Sequence, residues 1–486
     1  MANLTSPIWS AVTVHLHITL GNRERLADTL YQQLVEAIRS GQLREGDLLP
    51  PTRQLAAQLR VSRSTVTAAY DRLAGSGYVN ARVGSGTFVG ARRPDTRVAE
   101  LSSPTPKAVW LKSQSWWDSR PRPYSFPPAE FDFTSGFPDA SLFPHEAWRR
   151  LMSRQFRTAS MRRGVYAHPS GHQQLREAIA HHLGVTRGIR TTAADITVVN
   201  GTQQALDILT RTVVAPGQNV AMEDPGYGMA LRTFAVLGTR VSCVPLDNEG
   251  LRVDQLPNKI RLVYVTPAHQ FPMGMTMSMR RRLELLEWAK AHGAAILEDD
   301  YDSDYHHDPG VIPLHTLDQE QSVIYVGSFS KSLSPVLRLG FIVAPPSLQP
   351  AIHIAKQLMD WHTNLPLQGA LAEFLDSGGF ARHVRRMRGI YARRSKALIR
   401  ALKEHLYNEV EILPRALGLH LSVLARPGRG PMLEAAARES AASGVRAQVL
   451  SEFSQQPDPP LGLILGYGIL DEVKIKEGLR RLAAHL

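Results

Sequence analysis

In residues 326–340, VGSFSKSLSPVLRLG, Lys331 follows serines at alternate positions, Ser328 and Ser330, and Arg338 stands seven residues beyond it. A lysine amine can form a Schiff base with an aldehyde, while two hydroxyls and a forked guanidinium can hold a phosphate. Taken alone, a lysine among polar neighbours is ordinary solvated surface, so other segments must supply the case. The run AAILEDDYDSDYHHD ends in a dense set of carboxylates. Asp300, Asp302 and Asp304 alternate as in a calcium loop, but Tyr305 stands where that loop needs glycine and Val311 where it needs glutamate. A different chemistry suits the same residues. Asp299 facing a pyridine nitrogen would keep it protonated, and Tyr301, two residues on and so on the same face, would meet a ring hydroxyl. In VVNGTQQALDIL a strand breaks at Asn-Gly and a helix opens at Thr202, which presents the backbone amides of Gly201, Thr202 and Gln203 to an anion. An amine for an aldehyde, a carboxylate for a pyridinium and three sets of phosphate donors are the groups required around pyridoxal phosphate.

All three segments stand at strand ends. From about residue 130, DITVVN, NVAMED, LVYVTP, AAILEDD and SVIYVG alternate with helical stretches such as TQQALDILTRTVV and RRRLELLEWAKAHG. That alternation predicts a mostly parallel sheet with helices on both faces, and a ligand at the carboxyl ends of its strands.

The first 90 residues read differently. Leu26, Leu30, Leu34 and Ile38 recur every four positions and predict a helix that Gly41 ends. Thr52 is expected to cap a second short helix and Ser62 a third. In the third, Val66, Tyr70 and Leu73 would point inward, with Arg63, Ser64 and Thr67 outside. YVNARV, GSG and TFV then predict a hairpin with a glycine-rich tip. Three helices and a hairpin are the layout of a winged helix-turn-helix, in which an arginine near the start of the third helix can fork onto guanine in the major groove. A helical cap packed on the large domain is the competing reading of the same pattern.

Between these parts, residues 91–130 carry seven prolines and seven basic groups with no sustained apolar period, which predicts a stiff tether. Trp110, Trp116 and Trp117 suggest that part of it docks. The chain of 486 residues, 43% hydrophobic, is long enough for several cores. Its 56 basic and 44 acidic groups give a formal charge of +12, which favours an anionic partner. That excess is thinly spread, since residues 1–90 hold nine basic and six acidic groups. A single cysteine, Cys243, excludes an intrachain disulfide and a thiolate metal cluster. No metal is expected. Neither a secretory leader nor an apolar run long enough to span a membrane is legible, which predicts a cytoplasmic protein.

In order and spacing, GTQQAL, EDPGY, TPAHQFPMG, EDDYDSDY and SFSKSLSPVLRLG resemble the fold-type I aminotransferases. LYQQLVEAIRSGQL, GDLLPPTRQLA, VSRSTVTAAYDRL and GSGTFV resemble the GntR-type DNA-binding domain over residues 24–90. The two together resemble the MocR transcriptional regulators over essentially the whole chain from residue 24. The resemblance implies a multidomain protein. An N-terminal winged helix-turn-helix (24–92) and a linker (93–128) precede an α/β fold-type I aminotransferase-like domain with a small C-terminal α+β subdomain (129–486). It implies a head-to-tail homodimer that senses pyridoxal phosphate, or an amine or amino acid, and so alters its hold on operator DNA. By the same resemblance Arg53, Arg63 and Thr65 contact DNA with Gly86 at the wing tip, Tyr227 lies near the cofactor ring, and Tyr166 reaches the neighbouring subunit's phosphate. A buried structural tyrosine is the other reading of each. The chain departs from the pattern at the carboxylate anchors, where Ile464 and Met229 stand in place of arginines; Arg232 or Arg415 could substitute. A working aminotransferase with an accessory head is the rival reading, which the missing anchors and the full GntR-type string disfavour.

Overall fold

Where apolar residues recur every third or fourth position the chain is helical, and where they run continuously between turns it is strand. The computed structural model describes residues 26–82, 85–90, 129–157, 164–305, 311–413 and 418–486. The predicted tether at 93–128, with its three tryptophans, and Arg415 lie outside these residues. The chain divides into two units, Met1–Gln114 and Ser115–Leu486.

In the first unit α1 (Leu26–Arg39) buries Leu30, Leu34 and Ile38. It packs with α2 (Thr52–Leu59) and α3 (Arg63–Gly75), whose Val66, Tyr70 and Leu73 are buried while Arg63, Ser64 and Thr67 are exposed, as the spacing predicted. Ser62 caps α3, its Oγ accepting from the Thr65 N–H at 3.1 Å. Thr52 caps nothing: Pro51 holds the cap position, and Thr52 is the first helical residue. Its Oγ1 instead accepts from Arg63 Nε at 3.4 Å. The predicted hairpin is β2 (Val79–Arg82) and β3 (Gly86–Val89), and a short strand, β1 (Leu48–Leu49), adds to it in the order β1-β3-β2. Two residues between a Gly-Asp and a Pro-Pro carry no period, so sequence alone reads β1 as loop.

In the second unit the predicted alternation becomes one sheet of eight strands. They are β5 (Ile196–Val199), β6 (Asn219–Asp224), β7 (Arg240–Asp247), β8 (Gly250–Leu251), β9 (Ile260–Val265), β10 (Ala295–Asp300), β11 (Val323–Ser328) and β12 (Gly340–Val343), ordered β5-β12-β11-β10-β9-β6-β7-β8. Strands β11, β10, β9, β6 and β7 are parallel, whereas β12 runs against both of its neighbours and β8 against β7. Ahead of the sheet come β4 (Phe131–Asp132), α4 (His145–Gln155) and α5 (Gln173–Arg187). The crossovers and outer layers are α6 (Thr202–Val213), α7 (Gly228–Val236), α8 (Met279–His292), α9 (Leu314–Leu317), α10 (Gln349–Asp360) and α11 (Leu365–Asp376). Alternate strand residues serve opposite faces: Leu262, Tyr264 and Leu297 pack with Leu206 of α6 and Phe234 of α7, while Val263, Val265 and Ile296 pack with Leu285 of α8. Both faces are dry, which a parallel sheet requires.

The long helix α12 (Gly379–His405) leads into a smaller antiparallel sheet of β13 (Val410–Ile412), β14 (His420–Ala425), β17 (Gly462–Gly466) and β16 (Gln448–Val449). Helices α13 (Gly430–Glu439) and α14 (Glu472–Ala483) help enclose its core, and β15 (Val445–Arg446) pairs in parallel with β4. Among the described residues no helix is long and apolar enough to cross a membrane.

Candidate functional site

Because β12 is reversed, its first residue, Gly340, is paired with Val199 at the end of β5 and with Ser328 at the end of β11. The loop carrying Arg338 therefore returns to the carboxyl ends of the sheet, where Arg338 Nη2 donates to the Asn200 carbonyl at 2.8 Å. Arg338 has a left-handed backbone, φ 52°, which costs a non-glycine residue about 1–3 kcal/mol. Buried Leu337 and Leu339 on either side hold it there. Gly201, facing it, has φ 79°, and a Cβ on it would lie 2.9 Å from Arg338 Nη2. Glycine is required there for both reasons. Beyond it α6 begins, and the N–H groups of Gly201, Thr202 and Gln203 make no hydrogen bond among the described residues. The side chain of Gln203 donates to Thr233 Oγ1, so its backbone is the part left for a ligand. Ser328 and Ser330 are half-buried at the end of β11, with the Ser330 N–H donating to Ser328 Oγ at 3.1 Å.

Asp299 lies next to last in β10 and is 4% exposed. Its Oδ2 accepts from Tyr264 Oη at 2.8 Å, while Oδ1 is buried without a partner among the described residues. Burial pushes its carboxyl up to about 7, against the pull of the Tyr264 hydrogen bond. Neighbouring carboxylates are otherwise occupied. Glu298 accepts from the N–H groups of Leu314 and His315, Asp300 pairs with Arg187 and Tyr325, and Asp304 pairs with Arg187 and His182. Asp302 accepts from His269 Nδ1 at 2.7 Å. The acidic run is thus divided among protein partners, one by one, and no group of three or more metal-ligating side chains stands together among the described residues.

Lys331 follows β11, and burial lowers its ammonium below the ordinary range although Asp302 and Asp299 oppose that. Gly136 comes up against it: a Cβ there would lie 2.7 Å from Lys331 Nζ. Tyr301 and Tyr227 are half-buried, with Tyr301 Oη 3.2 Å from His269 Nδ1 and the Tyr227 ring edge-on to Phe271 at 6.0 Å. Tyr166 is 70% exposed and stacks on Trp361 at 4.4 Å. At the anchor positions, Ile464 is fully buried with Met273 and Leu450, and Met229 is half-buried at the start of α7. Arg232 is exposed on the same helix. Sequence reasoning missed Gly136, Tyr264 and His420. Gly136 had a local signal in SGFPD, whereas Tyr264 read as a sheet residue and His420 as one more position in a small-domain strand.

In the head Arg53 on α2 and Arg63 on α3 are exposed, as is Gly86 at the start of β3, where φ is 111°. Thr65 is half-buried, and its hydroxyl lies 2.7 Å from Ser62 Oγ within the cap. Its first hydrogen bond therefore serves α3 itself.

Two family models match the chain: "Bacterial regulatory proteins, gntR family" over residues 26–89 and "Aminotransferase class I and II" over residues 130–427. The chain is 37% identical over 456 residues to the probable rhizopine catabolism regulatory protein MocR of Rhizobium meliloti, covering 93% of this chain and 92% of that one. It is 30% identical to the pyridoxine biosynthesis transcriptional regulator PdxR of Corynebacterium glutamicum, covering 91% and 92%. Among solved structures, the kynurenine aminotransferase of Pyrococcus horikoshii in complex with PMP superposes with a TM-score of 0.67 at 30% identity, covering 73% of this chain and 90% of that one. The enzyme covers 73% of this chain, whereas the regulators, at 91–93%, take in head and body in one alignment. An aminotransferase-like body preceded by a GntR-type head is what sets such regulators apart from the enzymes, and this chain belongs to the MocR-type transcriptional regulators.

Proposed function

We propose that this regulator carries pyridoxal 5'-phosphate at the carboxyl ends of β5, β10 and β11, bound covalently through Lys331, and that the cofactor or an amine presented to it changes how the head grips operator DNA. The observation that carries the reading is Asp299 Oδ1, a buried carboxylate oxygen with no donor among the described residues, in the field of half-buried Lys331. A protonated pyridine nitrogen is the donor such an oxygen lacks, and its charge would bring the raised carboxyl back down. The phosphate end fits as well: bare Gly201, the amides of Gly201, Thr202 and Gln203, the hydroxyls of Ser328 and Ser330, and Arg338 converge there. Tyr227 would rest against the ring and Tyr301 meet its hydroxyl.

When bound, the cofactor supplies an electrophilic aldehyde carbon and an electron-withdrawing ring. The chain's own part is to loosen the Lys331 ammonium's hold on its proton by desolvation, to hold a proton at the ring nitrogen through Asp299, and to fix the phosphate. Nothing at Met229 or Ile464 pairs a carboxylate, so an amino acid would be poorly held with its reacting bond across the ring.

We assign residues 24–92 to the DNA-binding head, with Arg53, Arg63, Thr65 and the turn at Gly86 facing the operator, residues 93–128 to the linker and 129–486 to the sensor body. A cytoplasmic homodimer fits the surface. Ile354, Leu358 and Trp361 form an exposed apolar face of α10 and its end, and Tyr166 stacks on it. A second copy covering that face would carry Tyr166 towards its partner's phosphate; sedimentation at micromolar concentration measures the dimer directly. For the cofactor, the purified chain should show a visible absorbance band that borohydride bleaches, and mass spectrometry should find the reduced adduct on Lys331. An adduct on another lysine, or no band after incubation with the cofactor, rules out the reading.

A further inference from the structure

His269 stands between two rings. Tyr301 stacks on one face at 5.8 Å and 21°, and His420 from β14 on the other at 4.9 Å and 24°. At its edge, Nδ1 lies 2.7 Å from Asp302 Oδ2 and 3.2 Å from Tyr301 Oη. One ring nitrogen cannot both donate to the carboxylate and accept from the hydroxyl. With the carboxylate as the nearer and stronger acceptor, Nδ1 carries the proton and donates it to Asp302. Nδ1 then has no lone pair free to accept from Tyr301, which leaves the Tyr301 hydroxyl hydrogen to point elsewhere. Gly418, just before β14, closes over the pair: a Cβ there would lie 2.5 Å from both Asp302 Oδ2 and His269 Cε1. His420 is anchored from the far side by the Pro272 carbonyl at 3.2 Å, and burial holds its imidazole neutral, at about 3. The small subdomain thus fastens the imidazole in place.

We infer that His269, oriented by Asp302 and clamped by Gly418 and His420, is a positioning residue that compels Tyr301 to act as a hydrogen-bond donor to the ring oxygen of the cofactor. The inference rests on the cofactor reading above. A donor at that oxygen stabilises its anionic form and weakens its hold on the proton shared with the lysine nitrogen, so the bound chromophore titrates at a lower pH than it would unaided. Charged and titratable groups facing Tyr301 and Lys331 are Asp299, Asp300 and Asp302 from their own segment, Glu223 from β6, Tyr264 from β9, Lys331 and Arg338 beyond β11, and His420 from β14. None of these but Asp302 would be altered in the variants below.

The test is an absorbance titration of the cofactor-loaded full-length chain, with cofactor content measured after alkaline release to show that each variant is folded and loaded. Tyr301→Phe sets the full effect, expected as an upward shift of the midpoint by about one pH unit or more, tenfold in proton affinity. His269→Asn and Asp302→Asn should each reproduce most of that shift while leaving Tyr301 in place. Gly418→Ala, whose Cβ would meet Asp302 and His269 first, should move the midpoint the same way. Tyr301→Phe combined with His269→Asn should add nothing to Tyr301→Phe alone. Midpoints at the wild-type value in loaded His269→Asn and Asp302→Asn, with a shift in Tyr301→Phe, overturn the inference and leave the cofactor reading standing. A wild-type chain with no band at all removes both.

Discussion

Asp299 should destabilise the cofactor-free protein, and replacing it should reveal by how much. Its carboxyl is pushed from 3.8 up to about 7 because burial outweighs the Tyr264 hydrogen bond and the pull of Lys331. Below pH ~4 the folded and unfolded chains both hold the proton and the burial costs little. As the pH rises the unfolded carboxyl ionises first, and the penalty grows until the folded one has ionised too, above about 7. A shift of about three units corresponds to a full penalty on the order of 4 kcal/mol. Asn is nearly isosteric, accepts from Tyr264 equally well and never ionises. Cofactor-free Asp299→Asn should therefore be more stable than the wild type by a margin that widens by about 2 kcal/mol between pH 5.5 and 8.5. Urea denaturation of the stripped full-length chain, following the body's transition by near-ultraviolet circular dichroism, reads that margin from the midpoints at a shared slope. Added cofactor should reverse the order, because a pyridinium beside Asp299 compensates the carboxylate and has nothing to compensate in Asn. A margin that stays flat with pH, or narrows, would refute the claim that burial outweighs the partners this carboxylate has in the cofactor-free protein.

Three further outcomes are expected. Gly201→Ala places a methyl 2.9 Å from Arg338 Nη2 in a backbone conformation that only glycine adopts readily, and should weaken cofactor binding at least tenfold in an absorbance titration with little change in the head. Arg63→Ala should cost specific DNA binding about 1–3 kcal/mol at fixed salt and relax the preference at one base of each half-site; unchanged affinity for an operator selected from random sequence would remove Arg63 from the interface. A screen of amino donors with pyruvate and 2-oxoglutarate should give turnover negligible beside a dedicated aminotransferase, because Met229 and Ile464 cannot anchor a carboxylate; robust multiple turnover together with no DNA response to cofactor or donor would favour the enzyme reading.

The head was legible almost to the residue, since its helices are amphipathic and short-range. Leu30, Leu34 and Ile38 repeat at helical spacing, and Ser62 caps α3 with an oxygen that a local pattern predicts. Thr52 was misread because a hydroxyl at a helix start looks the same one position early or late, and Pro51 took the cap. In the body, strands β5, β6, β9, β10 and β11 were legible as continuous apolar runs that end in polar residues. The reversal of β12 was not, because direction depends on which neighbours a strand finds and a run such as GFIV is the same read either way.

Lys331 and Arg338 were found and their supports were not. Both lie in one fifteen-residue segment, so spacing along the chain stands in for spacing in space. Tyr264 reaches Asp299 across the β9–β10 pair, 35 residues away, and nothing local marks it as the partner of a buried acid. Gly136 meets Lys331 from before the sheet begins, and Gly418 and His420 meet His269 from a subdomain well over a hundred residues later. Each is ordinary in its own window: a glycine in a turn, a tyrosine in a strand, a histidine opening a short β-segment. Their roles exist only where the two subdomains of the body close on the same loop. Groups that touch the cofactor thus tend to be written in contiguous motifs, because one loop at a strand end must present several of them at once. The groups that tune them come from wherever the fold has a surface to spare, and a single sequence records them without emphasis.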